Sequence, residues 1–182
     1  NIERAINKNN TDTADYSEIR YEGYGPYGTA FIIEALTDNK NRTATEIRTI
    51  FSRNGGNLGE TGSVSYNFDK VGEVVIKASL NDEMIEELIE VGVEDYVLDE
   101  GETYLYCKLE DLFTVEKFVQ DKKLEVEGAK LIWKPNMNVE ITSREDLEKL
   151  LKLSDDLEDN DDVQNCFSNL DFDSKLIGES DA

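Results

Sequence analysis

The sequence predicts an α+β protein built of two α/β domains with antiparallel sheets, one of them a ferredoxin-like βαββαβ unit inserted into the other. Three observations carry this. Residues 72–136 read as strand, helix, strand, strand, helix, strand, which is the split-βαβ order. The elements before and after that block are too few to make a domain apiece, so they are assigned to one sheet begun at Ser17. A chain of 182 residues, 38% apolar with two prolines, is long enough to bury one or two cores. The expected division is residues 1–16 as a helix end and linker, 17–71 plus 137–170 as a discontinuous α/β domain, 72–136 as the insertion, and 171–182 as a disordered acidic tail.

The elements follow from local pattern. Residues 1–6 (NIERAI) resemble the end of an amphipathic helix, and the polar run 7–15 reads as a linker. Ser17 to Tyr24 alternates, with Ile19 and Tyr21 against Arg20 and Glu22, as a half-buried strand does. Gly25-Pro26-Tyr27-Gly28 turns the chain into the apolar run Thr29 to Leu36, rich enough for a central strand. A helix is expected from about Arg42 to Asn54, with Ala44, Ile47, Ile50 and Phe51 on one face and Asn54-Gly55 as its stop. Ser63 to Phe68 alternates again and is expected to be a strand.

Within the insertion, Val74 to Ala78 reads as a strand. The helix after it, Asn81 to Val91, takes Asn81 as N-cap and Gly92 as stop. Strands Asp95 to Leu98 and Thr103 to Lys108 are joined through Asp99-Glu100-Gly101, a hairpin signal. A helix from Asp111 to Lys122 and a strand from Ala129 to Trp133 complete the unit. Beyond Pro135 come a strand at Asn138 to Ile141, a helix opening at Ser143 with Asp146 three residues on, and a last strand from Asp162 to Asn169.

Charge is distributed unevenly. Residues 1–79 hold nine Lys/Arg against eleven Asp/Glu, whereas residues 80–182 hold ten against thirty, within a chain of net charge −22. Nucleic acid is bound by neutralising phosphates with cations, so the second part is a poor surface for it; its charge reads as a solubility device. The chain has no run of eighteen apolar residues, so no membrane partner is expected; no signal peptide is expected either, and a cytoplasmic location is. Cys107 and Cys166 lie in strand-like runs without Cys-x-x-Cys spacing and read as buried free thiols.

The chain contains no histidine, which removes the commonest general base, the usual zinc ligand and every Ser-His or Cys-His nucleophile pair. Gly23-Tyr24-Gly25-Pro26-Tyr27-Gly28 matches G-x-G-x-x-G literally, but a strand follows where a dinucleotide site needs a helix. A kinase-type loop would need a lysine on the next strand and a catalytic His-Arg-Asp; residues 30–36 hold no lysine. The match is read as a hairpin turn whose glycines permit positive φ. The acidic run Asp156 to Asp162 fails as an EF-hand, because Asp161 stands where glycine is needed and Phe167 where glutamate is. No catalytic residue, metal site or cofactor is expected.

The one plausible anion-facing surface is Lys40, Arg42, Arg48 and Arg53 with Asn54 and Asn57 of the neighbouring Asn-Gly-Gly-Asn loop. Arg42 near a helix start would be joined there by backbone N–H groups. Spacing leaves two readings open: a nucleic-acid contact, or a solvated helix face paired with Asp38 and Glu46.

The runs GYGP (23–26), EALTDNKNRT (34–43) and FSRNGGNLGETGSV (51–64) resemble the YebC/PmpR family, which includes the mitochondrial translational activator of cytochrome c oxidase subunit I. NIERAI and LEDNDDVQN (157–165) resemble it too, so the likeness spans nearly the whole chain. The resemblance implies an N-terminal helical, basic domain, missing from this chain, followed by two α/β domains of which one is inserted into the other. It also implies a non-enzymatic regulator of gene expression: a DNA-binding transcriptional regulator, or alternatively a translation factor acting on the ribosome. DNA or ribosomal RNA would be held mainly by the missing domain, with the Lys40/Arg42/Arg48/Arg53 face as a secondary contact. Tyr27 departs from the family pattern, standing where a second glycine is usual; it weakens a close backbone approach there or adds a stacking surface.

Overall fold

A computed structural model describes residues 15–178. The helix-end and linker readings for residues 1–14 lie outside the described residues. The chain forms two compact units: one runs to Phe68 and resumes at Pro135, and the other is Asp69–Lys134. Both have a four-stranded antiparallel sheet, which makes the fold α+β.

In the first unit β1 (Ser17–Tyr24), β2 (Ala30–Thr37), β3 (Asn57–Gly59) and β9 (Val163–Ser168) lie in the order β3-β1-β2-β9. Phe31 and Ile33 of β2 point at the helices α1 (Lys40–Arg53) and α4 (Arg144–Glu158), where they meet Ile47, Phe51, Leu147, Leu150, Leu153 and Leu157. Phe31 and Phe51 meet edge to face, their centroids 6.1 Å apart. Helix α1 begins two residues earlier than the periodicity suggests, because the Asn39 side chain caps it by accepting from the Arg42 N–H at 3.0 Å. Ser143 caps α4 in the same way, from the Asp146 N–H at 3.3 Å.

Ile32 is also fully buried, on the sheet face away from the helices. The segment covering that face corrects the expectation of a strand at Ser63 to Phe68. Residues 65–67 form a 3-10 turn instead, and the strand starts only at Phe68. The alternation breaks with it: Val64 and Phe68 are buried, while Tyr66 is 81% exposed. The short strand β3 was not anticipated at all; its three residues pair with β1 at Glu22, Gly23 and Tyr24.

The second unit contains β4 (Phe68–Ile76), α2 (Asp82–Glu90), β5 (Val93–Asp99), β6 (Glu102–Cys107), α3 (Leu112–Asp121) and β7 (Val126–Pro135). Its strand order is β5-β6-β4-β7, with the two split-βαβ crossovers of the ferredoxin-like arrangement. Val74, Ile76, Leu105 and Cys107 from the sheet pack on Leu88, Val115 and Val119 from the helices. Asn81 caps α2 at 2.8 Å through the Met84 N–H, and Gly92 takes φ 119° after it.

The strand expected at Asn138 to Ile141 does not join the first sheet. It contributes only β8 (Val139–Glu140), which pairs in parallel with β10 (Leu170–Asp171). The stretch 171–182, expected to be without structure, includes the end of β10 and a short helix α5 (Lys175–Gly178). Apolar residues explain this: Leu170, Phe172 and Leu176 pack against the first core. No helix among the described residues is long and apolar enough to cross a membrane. Cys107 is buried and Cys166 half-buried, both as free thiols.

Candidate nucleic-acid interface

Two glycine-rich segments converge at one end of the first sheet. Asn57 and Leu58 of β3 pair with Tyr24 and Gly23 of β1, so the loop Asn54–Asn57 runs beside the turn Gly25–Gly28. The approach leaves no room for side chains at two positions. A Cβ on Gly56 would stand 2.3 Å from the Tyr24 carbonyl oxygen, and one on Gly23 would stand 2.6 Å from the Phe51 ring. These glycines are therefore packing glycines, which the G-x-G-x-x-G match could not reveal.

Glu22 fixes the next loop. Its side chain is fully buried and accepts from the N–H groups of Gly62 (2.8 Å), Val64 (3.1 Å) and Ser65 (2.7 Å), with the Arg20 guanidinium at 3.1 Å. Burial pushes the carboxyl pKa up, but the three backbone donors outweigh it and hold the group below its ordinary value. Two of the captured amides, those of Val64 and Ser65, fall within the strand expected at 63–68; held by Glu22 they do not enter a ladder, and the loop turns instead.

The surface so built exposes aromatic rings. Tyr24 and Tyr27 are 44% and 43% exposed, and the Tyr24 hydroxyl donates to the Ser63 carbonyl at 2.9 Å. Tyr27 takes φ 63°, in the left-handed region where glycine is at ease. Its hydroxyl hydrogen-bonds to Lys149, which raises the lysine pKa.

The six candidate residues do not form one face. Lys40 and Arg53 stand at opposite ends of α1, about 20 Å apart at 1.5 Å per residue. Arg42 and Arg48 differ by about 120° around the axis at 3.6 residues per turn. Arg53, Asn54 and Asn57 lie at the glycine end. Arg53 and Asn57 are exposed; Asn54 is half-buried, its amide donating to the Ile50 carbonyl at 2.9 Å and to the Asp156 carboxylate at 3.0 Å. Asp156 also accepts from Lys152 at 2.8 Å, and these two bonds hold its pKa low, with the Arg53 charge adding to the effect.

Arg42 belongs to the other end and to other partners. Its guanidinium donates to Asp162 at 2.8 Å and lies 3.4 Å from Asp38 and 3.9 Å from Glu46. The hollow beside it is lined by Tyr16, Asp38, Glu46 and the run Asp159, Asn160, Asp161 and Asp162. A guanidinium so surrounded by carboxylates presents no net positive field to a phosphate. Lys40, Arg48 and Arg53 are exposed and make no ion pair among the described residues. Asp162 is only 13% exposed at its side chain and also accepts from the Thr43 hydroxyl at 2.8 Å, so it joins α1 to the start of β9.

Sequence reasoning missed the roles of Glu22, Asp162 and Lys149. A carboxylate on the strand face shared with Ile32 was the available signal for Glu22; the others depend on contacts between distant segments. Among the described residues no group of three His, Cys, Asp or Glu side chains is placed to hold a metal ion.

A solved structure of a conserved hypothetical protein from Aquifex aeolicus is similar to this chain, with a TM-score of 0.79 and 38% sequence identity over 88% of this chain and 67% of that one. The family model described as the TACO1/YebC second and third domain matches residues 16–170. With that match over most of its length, on a fold of two units carrying the glycine-rich surface, the chain belongs to the TACO1/YebC family of regulators.

Proposed function

We propose that the chain is a non-enzymatic regulator of gene expression that works by binding nucleic acid, with Arg53, Asn57, Tyr24 and Tyr27 as its contact surface in the first unit. The observation that carries this reading is the convergence of the two glycine-rich segments, which sets the open turn positions Gly28 and Gly55 and two half-exposed tyrosine rings beside an arginine that makes no ion pair among the described residues. At Gly28 and Gly55, where a Cβ would meet no atom closer than 4.0 Å, bare main chain admits a phosphate backbone that side chains would hold off. Tyrosine rings offer stacking surfaces to bases, and a guanidinium forks onto phosphate. The lack of histidine supports the non-enzymatic part.

As a transcriptional regulator, the protein would take most of its duplex-DNA affinity from a basic N-terminal domain, since affinity scales with the phosphates neutralised. The second reading is a translation factor acting on ribosomal RNA, and one observation favours it. The exposed rings sit at a strand end and on the turn after it rather than on a helix fit for a major groove, and stacking on side chains is how unpaired RNA bases are held.

The deciding experiment is co-sedimentation of the full-length protein with purified ribosomes across a salt series, with duplex DNA as competitor. Pelleting at physiological salt that DNA fails to reverse supports the translation reading. Release by DNA supports the transcriptional one. Binding to neither ribosomes nor DNA would sink the nucleic-acid proposal as a whole.

A further inference from the structure

We propose that the free edge of β5 is a docking site for an extended, lysine- or arginine-bearing segment of another protein, taken up as an added strand. This inference does not rest on the nucleic-acid reading. β5 ends its sheet, with β6 on one side and no strand on the other among the described residues. The turn into β6 is Glu100-Gly101, both at positive φ (49° and 85°), the two-residue hairpin that makes Asp99 and Glu102 a hydrogen-bonded pair. Pairing alternates from there, so Val97 bonds inward while the main-chain groups of Tyr96 and Leu98 face away from the sheet. In keeping with this, the Tyr96 N–H bonds to the Asp95 carboxylate at 2.8 Å.

The side chains add to the open ladder. Tyr96, Val97 and Leu98 are 44%, 46% and 58% exposed, three consecutive apolar residues on an edge, the arrangement that recruits another strand. A hollow lined by Ile89, Gly92, Val93, Glu94, Lys108 and Asp111 opens at the first residues of β5, where an added strand could seat a further side chain.

The flanks choose the occupant. Glu94, Asp95, Asp99 and Glu100 surround the three apolar residues, all exposed. Of these, Asp95 alone is ion-paired among the described residues, to Lys134 at 3.4 Å. A second copy laid antiparallel along the edge would set carboxylate against carboxylate, which is destabilising across strands. A segment alternating cations with apolar residues meets both features at once. Its main chain takes the Tyr96 and Leu98 groups and its cations lie near the flanking acids.

The test uses the full chain and a fluorescent nine-residue peptide alternating lysine with valine. Saturating peptide is expected to slow amide exchange at Tyr96 and Leu98 at least tenfold. A peptide of the same sequence, N-methylated along the edge that would face β5, is expected to bind at least tenfold more weakly with its charge unchanged. The variant Glu94→Lys/Asp99→Lys is expected to lose at least tenfold in affinity for the unmodified peptide. The proposal is overturned if the peptide does not bind or binds without protecting those amides. It is equally overturned if N-methylation or charge reversal leaves affinity unchanged, or if sedimentation finds a dimer that the peptide fails to dissociate. The N-methyl arm works on the native chain, so it decides the matter even if the double variant does not fold.

Discussion

The Glu22 carboxylate accepts from the Gly62 N–H at 2.8 Å across forty residues of sequence, and this bond sets the path of the loop that covers the second face of the first sheet. Glu22→Gln keeps the size but offers one acceptor oxygen in place of two, without charge. Since hydrogen bonds to ionised groups contribute about 1.5–3 kcal/mol each, the variant is expected to lose roughly 2 kcal/mol or more in urea unfolding. An unchanged midpoint would mean that the loop is held by Val64 and Phe68 packing alone.

The same carboxylate makes a pH prediction. Its pKa in the folded chain lies below the ordinary value of about 4.3, so its stabilisation is fully present above that value and is lost as pH falls through the lowered one. In acid titrations of stability, Glu22→Gln is expected to flatten the part of the curve below about pH 4.3 relative to the parent chain. Parallel curves for the two proteins would assign the acid loss to other carboxylates.

How far the sequence reaches is visible at this loop. An unbroken apolar run places β2, which is buried on both faces, and periodicity places β1, α1 and α4 because each turns a regular stripe to one core. It misplaces a strand at 63–68, because Val64, Tyr66 and Phe68 alternate in sequence while a carboxylate 42 residues before Val64 takes the amides a ladder would need. The candidate site divides the same way. Arg53 and Asn57 fall where the glycine loop suggested, but nothing near Arg42 in sequence announces Asp162, which lies 120 residues on. Local spacing encodes elements; pairings between distant polar groups it does not.

Gly56 separates packing from conformational freedom. Its own φ is not left-handed, yet a Cβ there would lie 2.3 Å from a backbone oxygen that cannot swing away. Gly56→Ala is expected to cost about 1–3 kcal/mol, as overpacking does, and to lower nucleic-acid affinity with it. Gly55→Ala meets no atom closer than 4.0 Å, but φ 78° strains it. It is expected to cost about 1 kcal/mol from the left-handed backbone alone. Equal stability of Gly56→Ala and the parent would show that the two segments separate freely.

Tyr27 tests whether an aromatic ring at a glycine conformation serves binding. A non-glycine residue in the left-handed region costs roughly 1–2 kcal/mol, partly offset by the entropy glycine loses on folding, about 0.5–1 kcal/mol. Tyr27→Gly is therefore expected to leave stability unchanged or raise it by up to about 1.5 kcal/mol. Affinity for unpaired RNA is expected to fall by the loss of one stacking surface, about 1–3 kcal/mol. A variant that gains stability and keeps its affinity would remove Tyr27 from the contact.

Arg42 and Arg53 make the sharpest contrast, because a sequence reading gives them the same role. Arg42 is committed to Asp162, Asp38 and Glu46, whereas Arg53 stands exposed beside the glycine turn. Arg42→Glu sets a carboxylate among three others and is expected to lower the melting temperature while leaving the salt dependence of nucleic-acid binding as it was. Arg53→Glu is expected to do the reverse, with little change in melting but weaker binding and a salt slope shallower by about one. Measuring both variants over a salt series, in the full-length protein, distinguishes a contact residue from a structural one. Were Arg42→Glu to flatten the slope and Arg53→Glu to leave it alone, the contact would lie at the start of α1, and the glycine-rich surface would have only its packing role.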